Sequence, residues 1–179
     1  LGGHLREAVL AARGLPMADV EHQTAADTIY AIDKVTDDAL IAWFAEHWTD
    51  VEVVSEGLDE PLVLGTPAST VIVDTIDGTR GLMYDKRSAW VLAAVAPPGG
   101  TLRDIVAASM TELPTTKQTL CDDYRAIRGG GVVGHRLDLR DGTTTALEAR
   151  PSSATDLEHG WAQVAKFFPP GKADLVAIE

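Results

Sequence analysis

Acidic residues occur in this sequence where their side chains could meet at one site. They are Asp33 at the start of a predicted helix, Glu56 at the end of a predicted strand, and the pair Asp74 and Asp77. Hard divalent cations take oxygen ligands, and Mg²⁺ in particular is held by a few carboxylates together with water and substrate phosphate. The sequence therefore predicts a divalent cation site centred on the aspartate pair.

The segment from Asp74 to Thr79 would form the centre of that site. If a strand ends at Asp74 and the chain turns at Thr75 and Ile76, both aspartates can converge and the Ile76 carbonyl can act as a neutral ligand. Gly78 and Thr79 would then start a helix, whose outward-pointing N–H groups favour an anion such as phosphate. A solvated turn explains the local pattern equally well, because Asp, Gly and Thr are common turn and capping residues.

Hydrophobic periodicity predicts the elements that must position these residues. Helices are predicted over 5–13 and 33–48, and strands over 51–55, 71–73, 89–96, 105–112 and 120–128. Weaker patterns predict a strand at 136–139, a hairpin turn at Asp141-Gly142 and a short helix at 161–168. Two helices followed by strands joined by turns indicate an α+β fold with a largely antiparallel sheet.

Composition excludes several classes of protein. The 179 residues are 45% hydrophobic, which suits one globular, soluble domain or one and a half. The net charge of −12 argues against a nucleic-acid partner, because binding to the phosphate backbone is driven by Lys and Arg. No apolar run approaches the ~18 residues of a membrane span, and no secretion signal is evident. The single cysteine, Cys121, favours a reducing cytoplasm and is predicted to be a buried structural thiol.

Residues 71–79, with the sequence VIVDTIDGT, resemble the D-P-I-D-G-T or D-x-[IL]-D-G-[TS] signature of inositol monophosphatases (IMPases). The relatives of that lithium-sensitive, magnesium-dependent phosphatase family include fructose bisphosphatases and bisphosphate nucleotidases. Thr75 departs from the signature, because proline is usual there. Upstream, Asp27 and Asp33 match an aspartate pair with five residues between them, and Glu56-Gly57 keeps only the first glutamate of a G-E-E element. Downstream, residues 128–132 match an R-G-x-G-A turn, so the resemblance covers roughly 25–134.

The resemblance implies a layered helix and sheet sandwich of the sugar-phosphatase type. Residues 1–134 would form an N-terminal metal-binding α+β domain, and residues 135–179 the start of a C-terminal subdomain that is incomplete. Family members close the site with an aspartate in a W-D-x-A-A-G type element. That element is not found here, since Asp156 and Asp174 lack its context. Either the chain is a fragment, or a second metal is held differently.

The resemblance also implies an activity, that of a magnesium-dependent phosphoric monoester hydrolase. The substrate would be a small phosphorylated metabolite, such as an inositol phosphate-like compound, a sugar phosphate or a nucleotide phosphate. The family further implies a cytoplasmic protein with no membrane partner, and it is compatible with a homodimer. The run from Arg80 to Arg87 differs from that of inositol-specific members, which leaves the substrate open.

By the resemblance, two or three Mg²⁺ ions bind the site. One ion would lie between Glu56, Asp74 and the Ile76 carbonyl, and another between Asp74, Asp77 and the aspartate not found here. Thr79 would orient the attacking water, with Glu56 and Asp33 assisting. Capping of the second helix is the simple alternative for Asp33.

A basic cluster of Arg80, Lys86 and Arg87 directly follows the signature. Because guanidinium groups suit phosphate, the cluster is predicted to meet a second anionic group of the substrate, with Arg80 and Arg87 as binding residues, while Gly78 and Thr79 bind the phosphate. The alternative for the cluster is a solvated loop.

Two other functions remain open from the sequence. A module that binds a divalent ion or a phosphosugar without turnover would explain the loss of the second glutamate at Gly57. A haloacid-dehalogenase-like phosphatase also has an apolar strand followed by two aspartates, Gly and Thr. It needs one residue between the aspartates and a parallel sheet alternating with helices, which the pattern does not predict.

Overall fold

The computed structural model describes residues 1–16, 18–23, 28–158 and 160. Residues Leu1–Ala149 form one compact unit, and Arg150–Glu179 form a second. The described residues of the second unit, 150–158 and 160, contain no helix or strand. The helix predicted at 161–168 lies outside the described residues, as do Asp27 and Asp174. The domain boundary at residue 134 stays a prediction.

Two helices precede the main sheet. Helix α1 spans Gly2–Ala11, so it begins three residues earlier than predicted. Helix α2 spans Ala31–His47, which confirms the second prediction to within two residues. Its buried positions follow helical spacing and are Ile32, Thr36, Asp37, Leu40 and Phe44. Within the described ranges, no helix combines the length and apolar character that crossing a bilayer demands.

The strands form two sheets. A small antiparallel sheet pairs β1 (Val20–Gln23) with β2 (Thr28–Tyr30). The main sheet contains β3 (Val51–Ser55), β4 (Leu62–Leu64), β5 (Ser69–Asp77), β6 (Ala89–Ala96), β7 (Ala107–Leu113), β8 (Leu120–Ile127), β9 (Gly131–Asp138) and β10 (Thr144–Leu147). Its strand order is β10-β9-β8-β7-β6-β5-β3-β4. Within this sheet the β3–β5 pair is parallel and the other neighbours are antiparallel.

The structure confirms the predicted α+β class with a largely antiparallel sheet. The strands predicted at 51–55 and 89–96 have the predicted bounds, and β7 and β8 differ from theirs by a few residues. The strand predicted at 136–139 is the end of a longer strand, β9, and the turn at Asp141-Gly142 joins it to β10. Strands β1, β2, β4 and β10 were not predicted, because three or four residues give too short a pattern.

One face of the main sheet packs under α1 and α2. The core on this face includes Leu5, Val9, Leu40, Phe44, Val53, Val73 and Val91. Arg6 is buried in it, with 3% of its surface exposed. Its Nε donates to the Glu112 carbonyl at 2.9 Å, and its guanidinium forms an ion pair with Asp123. These contacts fix α1 against β7 and β8, which leaves α2 above β5.

Candidate active site

A β-bulge in β5 brings the two signature aspartates onto one face of the sheet. Asp74 pairs with Leu92 and Asp77 pairs with Trp90, and the register shifts between the two pairs. Three residue steps on β5 therefore correspond to two steps on β6, which is the one-residue excess of a bulge. Leu92 and Trp90 share a face, because side chains alternate along a strand. Asp74 and Asp77, which an unbroken strand would place on opposite faces, consequently share it too.

The predicted chain turn at Thr75 and Ile76 is wrong. Strand β5 continues through both residues to Asp77. The physical reason is burial, since Thr75 and Ile76 are β-branched and have only 4% and 3% of their surface exposed. The convergence expected from a turn is achieved by the bulge, with the backbone still extended.

Glu56 lies beside Asp74 at the end of the parallel strand pair. Ser55 is in register with Val73, so Glu56 and Asp74 are the next residues on neighbouring strands. Neighbouring strands lie about 4.8 Å apart, and the carboxyl ends of parallel strands are a common place for ligand sites. Glu56 is exposed at this edge.

Asp33 connects α2 to the signature. Its Oδ1 accepts a hydrogen bond from the Thr79 hydroxyl at 3.2 Å, and the same hydroxyl lies 3.0 Å from the Ile76 carbonyl oxygen. Its Oδ2 accepts a hydrogen bond of 2.9 Å from the Tyr30 amide at the start of α2. Tyr30 is the N-cap residue of α2, so the N-cap position predicted for Asp33 is wrong by three residues. Asp33 still helps to cap the helix through Oδ2, while its Oδ1 contacts the signature.

Gly78 turns the chain from β5 into a short helix, α3 (Thr79–Met83). Its backbone has φ +99° and ψ +29°, a left-handed conformation that favours glycine. The predicted helix start at Gly78 and Thr79 is thus present. Because α3 has only five residues, an anion there would depend on individual N–H groups more than on a helix dipole.

The loop after α3 brings Arg87 back over the signature. The amides of Lys86 and Arg87 both donate to the Gly81 carbonyl, at 2.9 and 3.2 Å. A β-carbon at Gly81 would lie 2.6 Å from Cγ of Arg87, and one at Gly78 would lie 3.6 Å from an Nη atom of Arg87. The Arg87 side chain therefore covers Gly81 and ends next to Gly78. Arg80 and Lys86 are exposed on α3 and its following loop.

Electrostatics distinguish this group of carboxylates from a solvated turn. Burial raises the pKa of Asp74 above its usual value of 3.8, and the hydrogen bond from the Ile76 amide, 3.0 Å long, opposes the rise. The negative charges of Asp77 and Asp33 raise the pKa further. Asp77 and Asp33 are thus each close enough to Asp74 for their charges to repel that of Asp74, and a bound cation would relieve this repulsion.

The donor set fits a hard divalent cation in type, since it consists of carboxylate and carbonyl oxygens. Across the described part of the chain, however, no three His, Cys, Asp or Glu side chains form a ready-made metal group. Asp74 is turned toward the Ile76 amide, and the Ile76 carbonyl accepts from Thr79. The fit of this site to a divalent cation therefore rests on the type of its oxygen donors and on its negative charge.

Sequence reasoning missed Asp37 as a neighbour of the signature. It lies one helical turn after Asp33 on α2, and its Oδ1 accepts a hydrogen bond of 3.3 Å from the Thr75 hydroxyl. Thr36 donates to the same Thr75 oxygen at 3.1 Å. The available signal was the four-residue spacing from Asp33, which puts both aspartates on one helix face.

Solved structures share this fold. Fructose-1,6-bisphosphatase of Leishmania major in holo form aligns with a TM-score of 0.64 at 15% identity, over 80% of this chain and 48% of that one. A staphylococcal IMPase-I complexed with products aligns with a TM-score of 0.55 at 17% identity, over 73% and 45%. A Ca-bound IMPase family protein from Staphylococcus aureus gives 0.54 at 19%, over 70% and 44%. The chain has the IMPase and fructose bisphosphatase fold.

The chain spans about half the length of these solved structures. No protein-family model and no curated protein matches the sequence. The IMPase-like fold confirms the layered α+β prediction from the 71–79 signature. It also differs from the parallel, helix-alternating sheet that a haloacid-dehalogenase-like phosphatase requires, because only β3 and β5 pair in parallel in the main sheet.

Proposed function

We propose that this protein is a magnesium-dependent phosphomonoesterase that acts on a small phosphorylated metabolite. The observation that supports this most directly is the bulge in β5, which places Asp74 and Asp77 on one face, beside a threonine held by Asp33. The function rests on this arrangement together with the fold, since sequence identity to the solved structures is below 20%.

Glu56, Asp74, Asp77 and the Ile76 carbonyl would hold the cations, two or three in number. Bound Mg²⁺ lowers the pKa of a coordinated water and stabilises charge that develops on phosphoryl and leaving-group oxygens. The Ca-bound state of the S. aureus IMPase family protein supports a divalent ion in this fold. The chain itself contributes the clustered negative charge that makes cation binding favourable.

The Thr79 hydroxyl is arranged to accept a hydrogen bond from water. Its single proton is directed toward Asp33 Oδ1 or the Ile76 carbonyl, at 3.2 and 3.0 Å. The lone pairs of its oxygen therefore remain available, and a water that donates to them has its own lone pair free for phosphorus. Asp33 and Thr79 orient the water in this way, and Glu56 assists from the end of β3.

The phosphate would bind at the Gly78–Thr79 end of the signature, next to this water. The Gly78 and Thr79 amides are at the start of α3, where backbone N–H groups favour an anion. The Arg87 guanidinium next to Gly78 would supply a charged hydrogen bond to a second anionic group of the substrate, and Arg80 on the first turn of α3 would add positive charge there.

The proposed substrate class is a small phosphorylated metabolite. A small phosphorylated sugar, inositol or nucleotide would place one phosphate at Gly78 and Thr79. The sugar bisphosphatase among the structural neighbours supports a sugar phosphate. We also propose a reducing cytoplasmic location, because the one cysteine, Cys121, is a free thiol with no partner for an internal disulfide. A homodimer remains a proposal from the family resemblance.

Phosphate release from a panel of inositol, sugar and nucleotide phosphates tests the function. Release should require Mg²⁺, stop with EDTA, and be lost in Asp77→Asn. Asp59→Asn changes an exposed carboxylate in the loop after β3 and is the matched control, for which unchanged activity is expected. If the wild-type protein releases no phosphate from any substrate, the phosphomonoesterase is rejected and the binding module without turnover replaces it.

A further inference from the structure

Helix α2 contacts the signature at two points. At one, Asp33 accepts from Thr79, and at the other, Asp37 accepts from Thr75. The aspartates are four residues apart on α2, and the threonines are four residues apart in the signature. Each end of the segment from Thr75 to Thr79 is therefore tied to the same face of one helix.

The Asp37–Thr75 contact lies in the protein interior, at the bulge. Asp37 has 8% of its surface exposed and Thr75 has 4%. Thr75 precedes Ile76 within the register shift between Asp74 and Asp77, so any movement of Thr75 moves the backbone that carries both aspartates. A hydrogen bond to Thr75 therefore helps to fix the relative position of the Asp74 and Asp77 carboxylates.

Gly57 provides the space that Asp37 occupies. A β-carbon at position 57 would lie only 2.5 Å from Cγ of Asp37, so no side chain fits there while Asp37 keeps its position. Gly57 and Thr75 are two of the three positions at which the chain departs from the G-E-E and D-P-I-D-G-T patterns, and Ser55 is the third. The departures at positions 57 and 75 meet at the Asp37 carboxylate.

We propose that Asp37 is a positioning residue of the candidate site, which holds the β5 bulge through Thr75 and requires glycine at position 57. The proposal rests on the function proposed above, because the bulge matters for its effect on Asp74 and Asp77. In this chain the hydrogen bond between Thr75 and Asp37 restrains the backbone at position 75, as a conformationally rigid residue at that position would. Asp37 acts through Thr75 and does not touch the substrate.

Mn²⁺ affinity of the full chain, measured by isothermal titration calorimetry, is the first test. Removing a residue that orients a metal ligand typically costs ~10-fold or more in affinity. Asp37→Ala and Thr75→Val should each weaken Mn²⁺ binding by about that factor, and the double variant should be no weaker than either. Asp37→Asn keeps an oxygen acceptor for the Thr75 hydroxyl and should stay close to wild type. Asp38→Ala, an exposed neighbour on α2, is the matched control.

The Mn²⁺ titrations distinguish failure of the positioning role of Asp37 from failure of the proposed function. If wild-type protein binds Mn²⁺ and Thr75→Val binds it equally well, the positioning role is overturned while the proposed function stands. Additive losses in the double variant would also overturn it. If wild-type protein binds no Mn²⁺, the proposed function fails, and the positioning role fails with it.

Urea unfolding, which needs no cation, tests whether Asp37 occupies the space next to position 57. Gly57→Ala should lower the midpoint of urea unfolding in the wild-type background, because its methyl group overlaps the Asp37 carboxylate. In an Asp37→Ala background the same substitution should have little effect. Equal shifts in both backgrounds would show that Asp37 does not occupy the space at position 57, and this would overturn the proposal even if Asp37→Ala protein binds Mn²⁺ poorly.

Discussion

The Thr79 hydroxyl and Asp33 Oδ1 are 3.2 Å apart, although 46 residues separate them in the sequence. This hydrogen bond connects the first turn of α2 to the first residue of α3. Asp33 is itself fixed by the Tyr30 amide, so its second oxygen has a defined direction. In the proposed function, the pair would be a prearranged acceptor for a water molecule next to the carboxylates of β5.

Substitution at either end of this hydrogen bond should lower turnover. Thr79→Ala removes the acceptor for water, and Asp33→Asn removes the charge that orients the hydroxyl. Loss of such a group typically costs a factor of ~100 or more in kcat. Steady-state phosphate release with Mg²⁺ gives kcat and KM, and we expect the loss in kcat with KM little changed. Thr79→Ser keeps the hydroxyl and should retain most of the activity.

Stability separates the two roles of Asp33. Asp33→Ala also removes the capping bond to Tyr30 and should lower the free energy of unfolding by about 1 kcal/mol, whereas Thr79→Ala should lower it less. Urea unfolding at neutral pH measures this. If Asp33→Ala loses stability but keeps kcat, Asp33 is a helix cap only.

The contribution of Asp37 to the stability of the metal-free protein should fall as the pH rises from about 4 to about 6. Burial raises the pKa of Asp37 from its ordinary 3.8 to about 6, against the lowering effect of the Thr75 hydrogen bond, and the charge of Asp33 adds to the rise. Below pH 3.8 Asp37 is neutral in both folded and unfolded protein. Between the two pKa values only the unfolded chain ionises, so the contribution of this group to stability is progressively lost; the loss is at most about 3 kcal/mol, because solvent screens part of the effect.

Asp37→Asn should remove that contribution to the pH dependence. Urea unfolding in EDTA at pH 4.5 and 7.5 would show a smaller difference for Asp37→Asn than for wild type. Asp59→Asn, which changes an exposed carboxylate in the loop after β3, should leave the difference unchanged. A pH dependence of Asp37→Asn equal to that of wild type would mean that Asp37 titrates normally in the folded protein.

Cys121 should be unreactive in the native protein. Its side chain is fully buried, and burial raises the pKa of the thiol to about 11. Because the thiolate is the reactive form, modification by Ellman's reagent at pH 8 should be slower by a factor of ~100 or more in native than in urea-unfolded protein. Rapid native labelling would contradict burial of this thiol on β8.

The sequence was informative where the pattern was local and strong. The signature, the helix that begins near Asp33 and the apolar strands could all be predicted, because hydrophobic periodicity reports directly on burial. The bulge could not be predicted. Thr75 and Ile76 have the same side chains in a turn or in a bulged strand, and the choice depends on pairing with β6, which lies elsewhere in the chain.

Asp37 shows a second limit of prediction from the sequence. An aspartate in the middle of a helix is expected to face solvent, and only the packing of α2 on β5 reveals that this one is buried. Its neighbour Gly57 looked like a lost carboxylate in the sequence. The structure shows instead that the space at position 57 is filled from another element.

Arg87 should discriminate between substrates with one and two phosphates. Its guanidinium lies next to Gly78 and its side chain crosses Gly81, so it can reach an anionic group close to the signature. Arg87→Ala should therefore reduce kcat/KM more for a bisphosphorylated sugar than for the corresponding monophosphate, and a difference of ~10-fold is expected for the loss of one charged hydrogen bond. Lys86→Ala removes an equal charge from the adjacent exposed residue and is the matched control. Equal losses on both substrates would assign Arg87 to the reacting phosphate alone, and no loss on either would assign it to a solvated loop.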